Sequence, residues 1–190
     1  MSKIAIVYHS GYGHTARQAQ AVAEGAASIA GSDVLLIQVS EVDRHWDDLA
    51  AAEAIIFGAP TYMGSLSAEF KKFMEATSKI WIKQGWKDKL AAGFTNSASM
   101  NGDKLSSLTQ LVILAAQHSM IWVSLGLLPS NSSKAQRNDA NYLGSYLGAM
   151  AQSDSDLGPD MVPPAGDLET ARLLGARVAT LAKQFKAGKA

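Results

Sequence analysis

Two periodicities alternate along this chain, and that alternation restricts its fold more than any other feature. Short β-branched or apolar runs recur at residues 3–8, 34–39, 54–58, 90–95 and 120–123, each of a length that suits a buried strand. Between them, apolar residues fall three or four apart, as on one face of a helix. Residues 15–30 carry Ala19, Val22, Ala23, Ala26 and Ile29 in this way and end at Gly31, a helix-terminating glycine. A short acidic helix is predicted over 43–53. Ser67 is placed to cap a helix with Phe70, Phe73, Met74 and Thr77 on one stripe. Leu108, Leu111, Val112, Ala115 and Ala116 mark another, and Asp167 is placed to cap the last, with Leu168, Ala171, Leu174, Val178, Leu181 and Phe185 on one side. A helix between two strands returns the chain in the same direction, so the strands pair in parallel. The run Ala54-Ile55-Ile56-Phe57-Gly58 is apolar throughout, as a strand covered on both faces must be. The fold class predicted is α/β, a doubly wound five-stranded parallel sheet with helices on both faces, in one domain over 1–190. Residues 129–166 interrupt the pattern with Ser, Asn, Gly, Pro and Asp, and only 142–150 points to order. An excursion of this length implies work at a site or an interface.

Composition removes several classes of function. Seventeen basic and seventeen acidic side chains leave a formal net charge of zero, which argues against a nucleic-acid partner. The absence of cysteine removes disulfides, thiolate catalysis and cysteine-held metal, and no metal site is expected. With 47% hydrophobic residues, the chain has enough apolar side chains for a full core. The N-terminal apolar run is too short for a signal peptide. Residues 111–128 approach membrane-spanning length, but Gln117, His118 and Ser119 interrupt them, so the stretch is predicted as helix followed by strand. The expected location is the cytoplasm, without membrane insertion.

In doubly wound sheets, ligands bind beyond the C-terminal ends of the strands. The loops of interest therefore follow Tyr8, Gly58, Thr95 and Val123. The first, Ser10-Gly11-Tyr12-Gly13-His14-Thr15, opens a helix, where outward N–H groups and the helix dipole favour a phosphate. Gly11, Gly13 and Ala16 also satisfy a dinucleotide-binding pattern, with Glu41 as a late acidic residue for the ribose. The hydroxyls of Ser10, Tyr12 and Thr15, with His14, favour a terminal monophosphate instead. The second loop, Pro60, Thr61, Tyr62, Met63 and Gly64, offers flat and soft apolar surface to a planar ring. The third, Asn96, Ser97, Ala98, Ser99, Met100, Asn101 and Gly102, can aim backbone amides at a polar ring edge. Together these loops describe a site for a phosphorylated planar cofactor, which FMN fits better than a nicotinamide dinucleotide. His118 reads either as a packing residue or as a site residue, and Trp81, Trp86 and Trp122 as core or interface residues.

These residues resemble the flavodoxin-like flavoproteins, specifically the WrbA-type NAD(P)H:quinone oxidoreductases and their multimeric-flavodoxin relatives. The resemblance covers nearly the whole chain and is most specific at Ser10-Gly11-Tyr12-Gly13-His14-Thr15, at residues 55–64, and at His118-Ser119-Met120. It implies an FMN phosphate loop at residues 10–15, a ring-contacting turn at 60–64 and a third FMN loop at 96–102. It also implies a role for His118 as the residue bordering a quinone pocket, NADH or NADPH as electron donor, a quinone acceptor, and assembly as a homodimer or homotetramer. Two departures stand out. The connection between Val39 and Ala54 is shorter than in typical WrbA-type proteins, and the third loop is poorer in glycine. The alternative is an FMN-binding electron carrier or regulatory protein without NAD(P)H activity. Carriers of this kind are usually strongly acidic, whereas this chain is neutral.

Overall fold

The computed structural model describes residues 1–188. The chain runs β1 (Ser2–Tyr8), α1 (His14–Ala27), β2 (Ser32–Gln38), a 3₁₀ turn (Val39–Arg44), α2 (Trp46–Ala51), β3 (Ala54–Tyr62), β4 (Ser65–Leu66), α3 (Ala68–Ala76), α4 (Ser78–Trp81), β5 (Leu90–Ser97), α5 (Lys104–Gln117), β6 (Ile121–Trp122), β7 (Ala149–Gln152) and α6 (Ala165–Ala187). The main strands pair in parallel in the order β2-β1-β3-β5-β6. β4 folds back on the end of β3 as a short antiparallel extension.

The period of two along each strand separates two apolar layers. Ile4, Ile6 and Ile56 meet Val22, Ala26, Leu174 and Val178 of α1 and α6 on one face. Ala5, Val7, Ile55 and Phe57 meet Phe70, Phe73, Leu108 and Leu111 of α3 and α5 on the other. The predicted doubly wound sheet is therefore present, with a refinement at its fifth position. β6 pairs with the start of β5, at Leu90 and Ala91, while β7 pairs with its end, from Phe94 to Ser97. The fifth strand is thus split in two by residues 123–148. Those residues have an internal frame. The Asn141 side chain donates to Leu127 O and Ser145 O and accepts from the Ser145 N–H. Trp122 Nε1 donates to Leu147 O.

Other boundaries differ from expectation for local reasons. The acidic segment 43–53 divides into the 3₁₀ turn and α2. Ser67 occupies the N-cap position of α3 but makes no capping bond, because its Oγ pairs with His9 Nδ1 at 2.8 Å. Asp167 does not cap α6, which starts after Pro164. Its buried carboxylate instead takes both Arg137 terminal nitrogens at 2.7 Å and the Gln152 N–H at 2.9 Å. This ion pair joins the excursion, β7 and α6. Residues 111–128 divide into helix and strand as predicted, and among the described residues no helix is long and apolar enough to cross a membrane.

α1 and α6 approach to backbone contact through two glycines. A Cβ on Gly175 would lie 2.0 Å from Val22 O, and one on Gly25 would lie 1.9 Å from Arg172 O. Neither neighbour is a flexible side chain, so the helices themselves would have to separate. Gly175→Ala is expected to destabilise the fold by about 1–3 kcal/mol despite its better helix propensity. Thermal unfolding should show the midpoint falling by about 2–4 °C per kcal/mol. A midpoint that holds or rises would mean that the two helices are not locked at this distance.

Candidate functional site

β1 leads through α1 outward to β2, whereas β3 leads through α3 in the opposite direction to β5, so the winding reverses between β1 and β3. At the C-terminal edge beside that reversal lies a cleft of about 800 Å³. The first loop contributes Ser10, Tyr12, His14 and Thr15; the second contributes Pro60, Thr61, Tyr62, Met63 and Gly64. The third contributes Asn96, Ser97, Ala98, Ser99 and Gly102. Four of the predicted loop residues fall outside the lining. Gly11 sits beneath Tyr62, where a Cβ would lie 2.6 Å from the phenol oxygen. Gly13, at φ 91°, supports the left-handed turn into α1 and lies against the ring of Pro159. Met100 and Asn101 are on the exposed outer side of the third loop.

The first loop is drawn tight by Ser10, whose Oγ accepts from the Gly13 and Ala16 N–H groups, both at 3.1 Å. The N–H groups of Tyr12, His14 and Thr15 find no acceptor among the described residues. Orphan donors at a helix start form a site for an anion. His14 Nε2 lies 2.9 Å from Leu157 O, and because a carbonyl only accepts, this nitrogen carries the proton. That bond ties the first loop to a wall supplied by the excursion, as its length implied, through residues that the sequence did not single out: Ser153, Ser155, Leu157, Gly158 and Pro159. Ser153 N–H donates to Ser97 O and its Oγ donates to Asn96 Oδ1, each at 3.0 Å. The length of the excursion was the available signal. The strand that delivers this wall has four residues and follows a long insertion, which hides it from pattern reading.

Beneath the second and third loops, hydroxyls replace apolar packing. Thr61 Oγ1 lies 2.7 Å from Thr95 Oγ1 and 2.8 Å from Ser107 Oγ, and Thr95 Oγ1 donates to Ala59 O at 2.7 Å. Lys104 Nζ, fully buried, donates to Ser97 Oγ, Ser99 O and Met100 O at 2.7–2.8 Å. Burial pushes its pKa down to about 8. At the mouth, Tyr12 and Tyr62 meet edge to face with centroids 6.3 Å apart. Met63 is wholly exposed.

Within one chain the structure does not bring His118 to this cleft. α5 begins beneath the third loop and ends at His118, so the histidine lies at the opposite edge of the sheet. Its ring packs on Trp86 at 4.5 Å, and Nε2 lies 2.8 Å from Thr77 Oγ1. Thr77 already donates to Met74 O, so Nε2 carries the proton and donates to it. Trp86 is core, as expected, whereas Trp81 is half exposed on the same edge.

Burial holds the His118 pKa below its ordinary 6.5. The folded chain keeps the ring neutral while the unfolded chain takes up a proton, so this contribution to stability is present above about pH 6.5 and is lost as pH falls through the lower folded value. His118→Gln, which stays neutral and can still donate to Thr77, should therefore lose less stability between about pH 7 and pH 5. Denaturant unfolding at both pH values reads the difference, and equal losses would remove His118 as the source.

Comparison with known proteins agrees with this architecture. The family described as "Flavodoxin domain" matches residues 5–118. The curated flavodoxin FldP of Pseudomonas aeruginosa (strain UCBPP-PA14) is 52% identical over 188 residues, covering 98% of this chain and all of the relative. An NAD(P)H dehydrogenase (quinone) of Geotalea uraniireducens (strain Rf4) is 33% identical over 205 residues, covering 96% and 98%. Among solved structures, the flavodoxin, WrbA-like protein from Agrobacterium tumefaciens superposes with a TM-score of 0.76 at 48% identity, covering 97% of this chain and 99% of that one. With its strand order, its split fifth position and a cleft at the winding reversal, the chain belongs to the flavodoxin family.

Proposed function

We propose that this chain binds FMN in the cleft and uses it to carry two electrons from NADH or NADPH to a quinone or a similar flat acceptor. One observation carries the reading: orphan N–H donors at the start of α1 and an aromatic turn at Tyr62 face a single cleft. A monophosphate needs the first, and a planar heterocycle needs the second. The donor set fits this group, because the hydroxyls of Ser10, Tyr12 and Thr15 stand beside free backbone amides, whereas a pyrophosphate loop would rely on bare glycine backbone. When bound, FMN supplies the redox chemistry. The chain's own residues bind and orient it. Thr61 and Thr95 fix the floor, and His14 holds the first loop against the fourth wall. Tyr12, 76% exposed, and Met63 border an open mouth through which a flat donor and acceptor could exchange. A homodimer or homotetramer belongs to the same reading, and light scattering would test it.

A second reading, an electron carrier with no NAD(P)H activity, is favoured by the 52% identity to a relative named flavodoxin. Against it stands the balance of seventeen acidic and seventeen basic side chains, which offers no strong field for docking on a basic partner. The quinone reading draws on the 33% relative. Anaerobic stopped-flow mixing of the FMN-loaded chain with NADPH or NADH separates the two. Rapid loss of the yellow flavin absorbance, restored by benzoquinone, is the expected outcome. Flavin that stays oxidised would favour the carrier, and a chain that takes up no FMN would overturn both readings.

A further inference from the structure

We propose that Lys104 is the positioning residue of the third loop, its buried ammonium holding Ser97, Ser99 and Met100 in the shape that receives the cofactor's ring. The inference rests on the FMN reading above. Lys104 is the first residue of α5 and has no solvent exposure. Both facts oppose a cation there. A helix start carries partial positive charge, and burial removes the water that stabilises an ammonium. No carboxylate lies within salt-bridge distance of it among the described residues. Asp167 of α6 attracts it and Arg137 of the excursion repels it, but those two are bonded to each other. Its neighbour Asp103 is exposed and forms no ion pair with it.

All three donors of the ammonium go to one loop instead: to Ser97 Oγ at 2.8 Å, Ser99 O at 2.7 Å and Met100 O at 2.8 Å. The loop closes tightly over them. Ser97 Oγ donates onward to Ser99 O, and Gly102, at φ 53°, leaves a space where a Cβ would sit 2.4 Å from that same Oγ. Ser97, Ser99 and Gly102 all line the cleft. A methionine would fill the volume and spare the fold a buried charge. What the lysine adds is the loop's geometry. A neutral amine has two N–H groups and a lone pair, so it cannot donate all three bonds, and keeping the Ser97 contact would turn that hydroxyl away from Ser99 O; the loop's shape follows the proton. The lowered pKa, about 8, puts that proton within reach of ordinary titration.

FMN affinity, read by quenching of flavin fluorescence, tests this in the unaltered chain and in Lys104→Met between about pH 7 and 9. At pH 7 the variant should bind at least about tenfold more weakly, the scale of one lost charge-assisted hydrogen bond. The unaltered chain should lose affinity as pH rises through the region near 8, and the folded variant should not. A variant that binds as tightly as the unaltered chain, or that keeps the same pH profile, overturns the assignment. If circular dichroism shows the variant unfolded, the unaltered chain decides alone, and an affinity that stays flat across the range overturns it. An unaltered chain that takes up no FMN at pH 7 removes the flavin reading and this inference with it, whereas failure in the Lys104 comparison alone leaves the flavin reading standing.

Discussion

Parallel pairing of β1, β3 and β5 in a fixed register is the constraint on which the rest of this molecule depends. Ile4 lies opposite Ala54, and Ala54 opposite Leu90, so the three strands start level and run in one direction. Their C-terminal ends therefore emerge at one edge, and the loops that follow are neighbours without any need to attract one another. The two core layers hold that register. A one-residue slip would turn Ile4 and Ile6 away from α1 and α6 and carry Ala5 and Val7 into their place. The cleft is a consequence of the sheet, and its chemistry lies in what the loops carry.

The split fifth strand alters that edge in a way the basic winding does not. Had β6 continued straight along β5, the chain would have passed directly from strand to α6. By leaving after Trp122 and returning at Ala149, it arrives beside the end of β5 with a new turn, residues 153–159, that closes the fourth side. Asn141 and the Arg137–Asp167 pair make this detour rigid, using polar bonds where the excursion has few large apolar side chains to bury. Asp167 is buried while Arg137 keeps partial contact with water, so the pair adds little net stability, but removing Arg137 would leave the carboxylate buried without its cation. Its value lies in specifying one arrangement of the detour.

What was legible in the chain follows from the reach of each signal. Core strands such as Ala54-Ile55-Ile56-Phe57 advertise themselves because burial on both faces needs contiguous apolar residues. The first loop was legible as a turn into α1 at the cleft because a glycine turn and a helix start are both local. The errors fall where a side chain's partner is distant in sequence. Ser67 looks like a cap until His9 occupies its hydroxyl, and Asp167 looks like one until Arg137 arrives from thirty residues away. His118 fits a site motif by adjacency to a strand, but adjacency does not say at which edge of the sheet a helix ends.

Lys104 shows the limit most clearly. Beside Asp103 at the start of a helix, it reads as an exposed residue poorly matched to the helix dipole, since lysines are seldom buried and belong at helix C-termini. Nothing local distinguishes it from Lys71 or Lys72, which are solvated and paired along α3. The difference is made by the loop before it, which doubles back and presents two carbonyls and a hydroxyl to one point. The loop's acceptors stand in for the water that the buried ammonium has lost, and the ammonium adds a second donor to Ser99 O beside Ser97 Oγ, so loop and lysine support each other. Such mutual dependence leaves no periodic trace in a sequence, because the pattern that matters is a set of directions in space. It also explains why the third loop can be poor in glycine and still hold a tight turn: its curvature is imposed from beneath by the ammonium, with Gly102 and then Asp103 taking left-handed positions into α5.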